Sequence, residues 1–336
     1  MRMMKIAVLH GAKDLRLDDA PAPVAGESDV VIQVKFAGIC GSDLGTYQSG
    51  WPTGEPVPLG HELSGIVAEA GNNVSDFEIG DRVILNPMFN WVGIGGPEGG
   101  FAERLLIRDI VSRPESLIRI PASVSFESGA LVEPLAVSFH AINRADVQPG
   151  AKVALFGAGP IGLCLIIALR LKGIDDIIAF DLSAFRRERA LALGARAALD
   201  PRERPPGDVL KEMHGTDLYA GFLPVAATDV YFEASGAPQV LPEIIDYARS
   251  NSDIVVVAIH KKPVSLNIEM MVAKEISLLT AVGYPTEMPD VVAMLDGVAP
   301  DLAPLISHRF AAEDFLQAFG TACNPESSAK VLIQYP

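Results

Sequence analysis

The residues from 153 to 182 combine a glycine-rich turn with an acid at a spacing that suits a dinucleotide. An apolar stretch leads into Gly157-Ala158-Gly159-Pro160-Ile161-Gly162, and an apolar helix is predicted to follow. Gly157 permits the tight turn, Gly159 lets the backbone approach a pyrophosphate, and Gly162 lets the helix pack closely on the sheet. Asp181 ends the next apolar stretch, where a carboxylate binds the adenosine ribose hydroxyls and repels a 2′-phosphate. The pattern therefore predicts an NAD site.

Other residues near this turn are also candidates for contact with the cofactor. The helix N-terminus near Pro160 and Ile161 offers free N–H groups and a positive dipole end to phosphates. We further expect contacts from Leu182, Ser235 and Ala258, which follow the predicted strands of this half. Arg186 lies in the helix predicted after Asp181, and it could contact the cofactor or lie on a solvated helix face. It tempers the preference for NAD, since a 2′-phosphate would also attract an arginine.

A second set of residues could hold a metal. Cys40 lies in the stretch GICGSD, and His61 and Glu62 lie in LGHELSG. A catalytic zinc needs a few soft or borderline ligands and one open position, and a thiolate with an imidazole from separate loops fits that need. Taken singly, such a cysteine is more often a buried small apolar residue, and such a histidine a satisfied loop residue. Spacing alone leaves both interpretations open.

Composition restricts the class of protein. The chain has 336 residues, enough for two domains, and a formal net charge of −15, which argues against binding to nucleic acid or anionic membranes. No apolar run reaches the length of a membrane span, and the start of the chain lacks the pattern of a signal peptide, so we expect a cytoplasmic protein. The cysteines Cys40, Cys164 and Cys323 are scattered and do not form a disulfide framework.

The order of predicted elements indicates two architectures. Residues 1 to about 130 show short strand patterns punctuated by glycine and proline, which predicts a β-rich domain. Apolar stretches at 153–156, 177–180, 230–236, 254–260 and 276–284 alternate with helical patterns, which predicts a doubly wound parallel sheet in an α/β domain. The run at 254–260 is predicted to be buried on both faces. Residues 201–227 are predicted to form a loop, one short helix and a linker.

Four motifs in register, GICGSD, LGHELSG, VEPLAVSFHA and FGAGPIG, make the chain resemble the zinc-containing medium-chain alcohol dehydrogenases, most of all the sorbitol and 2,3-butanediol dehydrogenase branch. The resemblance covers essentially the whole chain. It implies a GroES-like catalytic domain at 1–136 and 286–336, with a Rossmann NAD-binding domain at 137–285.

The same resemblance implies roles for single residues. It implies that one catalytic zinc is bound by Cys40 and His61, with Glu62 as a third, sometimes exchangeable ligand. Glu133 of the VEPL motif would bind zinc directly or through its water. Ser42 would take the proton of the substrate, and Asp43 would orient the ligand histidine.

Two departures from the family pattern limit what the resemblance implies. The stretch 86–98 stands where many relatives carry four cysteines for a structural zinc, and it contains none, so we expect a single zinc per chain. Gly45 stands where relatives often carry the histidine that ends the proton relay. A water, Thr46 or Tyr47 must then serve the proton beyond Ser42.

The resemblance also bears on the substrate and assembly. The family resemblance implies a small secondary alcohol, vicinal diol or polyol, and its ketone, as substrates. Sorbitol dehydrogenases carry phenylalanine and arginine where this chain has Gly283 and Tyr284, so within that class we favour a small secondary alcohol or vicinal diol. Family members pair through the stretch that corresponds to 276–284, which implies a homodimer or homotetramer. The alternatives are a zinc-free enzyme that resembles quinone reductases and a non-catalytic NAD-binding scaffold, which the missing relay histidine would suit.

Overall fold

The computed structural model describes residues 2–298 and 300–336. The chain forms two compact units. The first comprises the residues up to Pro134 together with Met288–Asn324 and Ser328–Pro336, and the second comprises Leu135–Glu287 and Pro325–Ser327. The tail of the chain thus returns to the first unit, apart from three residues that pack with the second.

Strands dominate the chain before residue 126. In order, the elements are β1 (Met3–Gly11), β2 (Asp14–Pro21), β3 (Val30–Gly38), α1 (Gly41–Ser49), β4 (Val57–Pro58), β5 (Glu62–Ala70), β6 (Arg82–Leu85), β7 (Arg104–Ile107), β8 (Leu117–Arg119) and α2 (Phe126–Gly129).

Helices and strands alternate through the middle of the chain. The elements there are α3 (Val132–Arg144), β9 (Val153–Phe156), α4 (Pro160–Leu171), β10 (Ile177–Phe180), α5 (Ala184–Ala192), β11 (Ala197–Leu199), α6 (Pro206–Met213), β12 (Thr216–Tyr219), β13 (Leu223–Ala226), β14 (Val230–Glu233), α7 (Val240–Tyr247), β15 (Asp253–Val256), α8 (Ile268–Lys274) and β16 (Ser277–Thr280). The tail adds α9 (Glu287–Val298), β17 (Ile306–Ala311), α10 (Phe315–Ala322) and β18 (Lys330–Gln334).

The first unit is built on β3 and β5, whose antiparallel pairing organises its larger sheet. The strand order is β17-β18-β3-β5-β6-β8, with β7 also paired to β3, and a smaller sheet has the order β2-β1-β4. Apolar residues of β3 such as Val30, Ile32 and Val34 are fully buried, and they join one core with Phe315 of α10 and Val331 of β18. Because β18 pairs with β3, the C-terminal strand belongs to the same sheet that carries the metal-ligand candidates.

The second unit contains a six-stranded parallel sheet with the order β11-β10-β9-β14-β15-β16. All residues of β9, β10 and β14 are buried, as expected for central strands covered by helices on both faces. The chain runs outward from β9 first to one side and then to the other, which places the topological switch point between β9 and β14. The predicted doubly wound α/β sheet with a β-rich companion is confirmed.

The structure corrects several local predictions. Residues 216–226, predicted to be a linker, form an antiparallel hairpin of β12 and β13 that lies outside the parallel sheet. The stretch 254–260 was expected to be one strand buried on both faces, but β15 ends at Val256 and the side chain of Ile259 is 76% exposed. Within the described residues, no helix is long and apolar enough to cross a bilayer.

Candidate active site

The metal-ligand candidates of the first unit meet at the point where β3 ends and β5 begins. Antiparallel pairing sets Gly38 opposite Glu62, so the residues that follow β3 and those that precede β5 lie side by side. Cys40 is the N-cap residue of α1, and His61 directly precedes β5. Among the described residues, Cys40, His61 and Glu62 each offer a ligand atom within 4.8 Å of the others.

Two glycines make room for this cluster. A Cβ at Gly38 would lie only 2.2 Å from Glu62 Oε2, so the carboxylate occupies the space a side chain would fill. Gly60 has a φ of +95°, and a Cβ there would lie 2.6 Å from the backbone nitrogen of Phe101. Both positions therefore require glycine, one for space and the other for space and conformation.

Neighbouring residues of α1 orient the imidazole of His61. Nδ1 lies 3.5 Å from Asp43 Oδ1 and makes no hydrogen bond among the described residues, while Nε2 lies 3.4 Å from the Ser42 hydroxyl oxygen. Asp43 is itself fixed, because its Oδ2 accepts a 2.9 Å hydrogen bond from the Cys40 backbone N–H. A carboxylate beside Nδ1 favours the tautomer with its proton there, which leaves Nε2 free to bind a metal.

The electrostatics of the cluster suit a cation. Burial lowers the pKa of His61, but the negative charges of Asp43 and Cys40 more than offset it, and the pKa lies well above its ordinary value. The cluster thus concentrates negative charge around the imidazole. A thiolate, an imidazole and a carboxylate in one cluster are ligands that zinc prefers, so the residues fit a zinc ion.

Glu62 is also one half of a buried ion pair. Nζ of Lys330, on β18, lies 2.7 and 2.6 Å from the two Glu62 carboxylate oxygens and 3.2 Å from the Ile39 carbonyl oxygen. Both side chains are essentially inaccessible to solvent. Because Lys330 balances its charge, Glu62 does not depend on a metal for compensation, which agrees with an exchangeable ligand.

Glu133 lies in the first turn of α3 and is buried, with 8% exposure. Glu133 is not one of the three donors grouped within 4.8 Å. Its role as a ligand, direct or through water, remains a proposal.

A cleft of about 410 Å³ opens in the second unit at the carboxyl ends of its central strands. We call it the nucleotide cleft. Its lining includes six of the predicted cofactor-binding residues, namely Gly157, Gly159, Asp181, Leu182, Arg186 and Ser235. Pro160, Ile161 and Gly162 form the first turn of α4, which starts at this cleft. Ala258 is not in its lining and lies just beyond β15.

The glycines of the turn meet different requirements. Gly157 has a φ of +94°, and a Cβ at Gly162 would lie 1.9 Å from the Gly157 carbonyl oxygen, so neither position admits a larger residue. A Cβ at Gly159 would instead meet only the Arg186 guanidinium, 3.5 Å away. The backbone at Gly159 is therefore open on the side of Arg186, as a site for a pyrophosphate requires.

Asp181 holds the shape of the turn as well as offering a carboxylate to it. Its Oδ2 accepts a 2.6 Å hydrogen bond from the Ala158 N–H, and its Oδ1 accepts a 2.8 Å hydrogen bond from the Ser183 N–H. Each oxygen keeps a further lone pair for a ribose hydroxyl. Burial lowers the pKa of the nearby Arg186 guanidinium, although the charges of Asp181 and Glu326 oppose that shift.

The structure adds cleft residues that sequence reasoning missed. Arg202 lies just beyond the end of β11 and forms a bidentate pair with Asp200, with distances of 2.9 and 2.5 Å. Its place after a parallel strand was a usable signal, since ligands bind at the carboxyl ends of such strands. Glu326 belongs to the three-residue segment of the tail that packs with this unit, and no local pattern in the sequence marks it.

Comparison with known proteins assigns the family. Residues 26–115 match the model of the alcohol dehydrogenase GroES-like domain, and residues 160–297 match that of the zinc-binding dehydrogenases. The (R,R)-butanediol dehydrogenase of Bacillus subtilis (strain 168) is 33% identical, with 98% of this chain and 99% of that protein covered. The chain belongs to the zinc-containing medium-chain alcohol dehydrogenases.

Further relatives support the same branch. The sorbitol dehydrogenase of Bos taurus is 31% identical over 94% of this chain and 92% of its own length. The crystal structure of 2R,3R-butanediol dehydrogenase from Bacillus subtilis superposes with a TM-score of 0.86, at 32% identity over 98% of this chain and 99% of the other. This medium-chain dehydrogenase is therefore a zinc-dependent oxidoreductase of the alcohol and polyol class.

Proposed function

We propose that this medium-chain dehydrogenase interconverts a small secondary alcohol or vicinal diol and its ketone, with NAD as the hydride carrier. The observation that supports this most directly is the group of Cys40, His61 and Glu62 in the first unit, in which His61 and Glu62 are buried and Cys40 is half-buried. A panel of diols and polyols, with reduction of NAD followed by absorbance, tests the proposal. Turnover of sugar alcohols in preference to short diols would contradict the substrate class.

The residues of the chain have distinct parts in this reaction. When bound, zinc supplies a Lewis acid that lowers the pKa of the substrate hydroxyl, and NAD accepts the hydride. Cys40 and His61 would hold the metal, with Glu62 as an exchangeable third ligand and Glu133 bound to it directly or through water. The Ser42 hydroxyl would accept the substrate proton, and Asp43 would fix the His61 imidazole through its Nδ1 side.

The donor group argues against the two alternative functions. A zinc-free reductase has no need for a thiolate, an imidazole and a carboxylate within 4.8 Å of one another. A non-catalytic NAD-binding scaffold has no need for a serine hydroxyl 3.4 Å from the ligand histidine. Zinc analysis and the diol panel separate these alternatives from the proposed enzyme.

Gly45 gives a direct test of the proton route beyond Ser42. A Cβ at Gly45 meets nothing within 4 Å, so a side chain can be added there without a clash. The ring of Tyr47 packs edge-on against Phe319, with centroids 5.3 Å apart, which restricts Tyr47 as a substitute. We expect Gly45→His to raise kcat/KM about two- to tenfold near neutral pH, since it supplies a base for the proton. Gly45→Ala is the matched control and should leave the rate unchanged. An unchanged rate in Gly45→His would show that the missing histidine does not limit the rate.

Carboxylates in the nucleotide cleft support a preference for NAD over NADP. Asp181 lies beside the glycine turn, and Glu326 lines the same cleft as Arg186 and Arg202. Both arginines are in the electrostatic field of Glu326. The two cations that could bind a 2′-phosphate thus each have carboxylate neighbours, and a third anionic group would meet repulsion.

Removing these charges should relax the preference. We expect Asp181→Asn, which keeps the shape of the side chain, to lower the ratio of kcat/KM for NAD to that for NADP about 100-fold, because it removes a full negative charge. Glu326→Gln should lower the same ratio about fivefold. Glu243→Gln is the control, since Glu243 also lines the cleft but is not among the carboxylates whose charges act on Arg186 or Arg202. A ratio that stays constant in Asp181→Asn would contradict the assignment.

Assembly and location are also proposals. β16 is the edge strand of the parallel sheet, and the side chains of Leu278 and Val282 are 37% and 84% exposed. An exposed edge is a ready surface for pairing with a second copy, which supports a homodimer or homotetramer. Cys40, Cys164 and Cys323 are free thiols, which agrees with the reducing cytoplasm. The molar mass in solution tests the oligomer.

A further inference from the structure

The carboxyl ends of β14 and β15 carry a buried acid that the proposed chemistry does not use. Glu233 is the last residue of β14, and its side chain is inaccessible to solvent. A buried carboxylate is costly unless donors surround it. Four hydrogen-bond contacts surround the Glu233 carboxylate, and three of them come from the loop that follows β14.

The first oxygen of Glu233 holds that loop. Oε1 accepts hydrogen bonds of 2.9 Å from the Ser235 N–H, 2.5 Å from the Ser235 hydroxyl and 2.9 Å from the Gly236 N–H. Ala234, Ser235 and Ala237 of this loop line the nucleotide cleft. The carboxylate therefore sets the position of one wall of that cleft.

The second oxygen of Glu233 is held by a histidine from the next loop. His260 Nε2 lies 2.8 Å from Glu233 Oε2, and the imidazole is 14% exposed. The backbone of Glu233 connects the same two loops, because its carbonyl oxygen accepts hydrogen bonds from Val257 and Ala258. His260 thus closes a link between the segment after β14 and the segment after β15.

The linked loops lie directly against the glycine turn. A Cβ at Gly157 would lie 2.8 Å from the nitrogen and Cα of Ser235, and the Ala234 N–H donates a 2.8 Å hydrogen bond to the Phe156 carbonyl oxygen. The loop after β14, which forms this wall of the cleft, therefore packs in direct contact with the glycine turn. A shift of the wall would change the width of the cleft at the point where the turn faces it.

We propose that the Glu233–His260 pair positions the cofactor-facing wall of the nucleotide cleft, with His260 as the residue that locks Glu233 in place. This inference rests on the proposed NAD site. His260 and Glu233 are positioning residues, since they act through Ser235 and its neighbours. Loss of the pair should weaken cofactor binding and leave the zinc content of the first unit unchanged.

The test is a titration of the zinc-loaded full-length protein with NADH, followed by fluorescence. We expect His260→Leu to raise the Kd about tenfold, because it removes the donor to Oε2 and leaves a buried acceptor unsatisfied. His260→Gln can still donate to the same oxygen and should restore the Kd to within about threefold of the wild type. With NAD, His260→Leu should raise KM without lowering kcat at saturating cofactor.

His214 provides the matched control. Its buried imidazole Nδ1 lies 2.8 Å from the Thr228 hydroxyl oxygen. Thr228 precedes β14, so this contact is at the end of the strand opposite to Glu233. His214→Leu should lower thermal stability and leave the NADH Kd unchanged. A Kd in His260→Leu equal to that of the wild type, or equal losses in His260→Leu and His260→Gln, would overturn the positioning role. Failure of the wild type to bind NADH would instead overturn the proposed function.

Discussion

Replacement of Cys40 by serine is expected to abolish both zinc binding and turnover while NAD binding remains. A serine hydroxyl is not ionised at neutral pH and is a harder ligand than a thiolate, so the cluster with His61 and Glu62 loses its strongest donor. We expect zinc content to fall below about 0.1 per chain. Because Lewis-acid assistance contributes several kcal/mol, kcat/KM should fall by roughly 10³ or more.

The structure supplies a control and an independent readout for this variant. Cys323 is also a free thiol, but it is exposed and belongs to the tail, so Cys323→Ser should keep both zinc and activity. The nucleotide cleft belongs to the second unit, whereas Cys40 belongs to the first. NADH binding should therefore persist in Cys40→Ser. Full zinc content in that variant would contradict the ligand assignment, whatever its activity.

The parts of the fold that sequence reasoning captured are local in the chain. The turn from Gly157 to Gly162 and the acid at the end of β10 lie within one β-α-β unit, where glycine spacing and strand periodicity determine the geometry. The buried central strands have continuous apolar runs for the same reason. Sequence patterns therefore predicted the nucleotide site before any long-range contact was known.

The metal cluster was predictable only in part, because its residues come from separate loops. Spacing alone left Cys40 and His61 open to structural interpretations, and the family resemblance was needed to connect them. The register of β3 against β5 brings them together. The carboxylate ligand is either Glu62 or Glu133. The choice between them depends on the placement of their side chains, which the periodicity of apolar residues in the sequence does not predict.

The partners that sequence reasoning missed come from the far end of the chain. Lys330 and Glu62 are 268 residues apart, and their contact depends on the pairing of β18 with β3. Glu326 reaches the nucleotide cleft because three residues of the tail pack with the second unit. The hairpin at 216–226 was missed for another reason, since glycine and proline interrupt its short strands and make it look like a linker.

Removal of the Lys330 ammonium is the second change from which we expect a large effect. Lys330→Met would leave the Glu62 carboxylate buried without its cation, and breaking a buried pair from one side costs about 3–5 kcal/mol. Since about 1 kcal/mol shifts the melting temperature of a unit of this size by roughly 2–4 °C, we expect the first unit to melt about 10 °C lower. Calorimetry of the metal-free protein checks this.

A double variant separates the missing charge from the missing packing. In Lys330→Met with Glu62→Gln, no unpaired charge remains, and we expect most of the lost stability to return. Lys274→Met is the control, because Lys274 is equally buried but its Nζ donates hydrogen bonds to the carbonyl oxygens of Ile245 and Asp246, each at 2.8 Å, and to no carboxylate among the described residues. That variant leaves no buried carboxylate without its cation, so it should lose less stability than Lys330→Met.

The same variants decide whether Glu62 can bind the metal. In Lys330→Met the carboxylate has no competing cation, so a zinc ion held by Cys40 and His61 gains a stronger third ligand. We expect saturating zinc to raise the melting temperature of Lys330→Met more than that of the wild type, and to give no such extra rise in the double variant. Equal zinc-dependent shifts in all three proteins would restrict Glu62 to its ion pair and leave Glu133 as the carboxylate ligand.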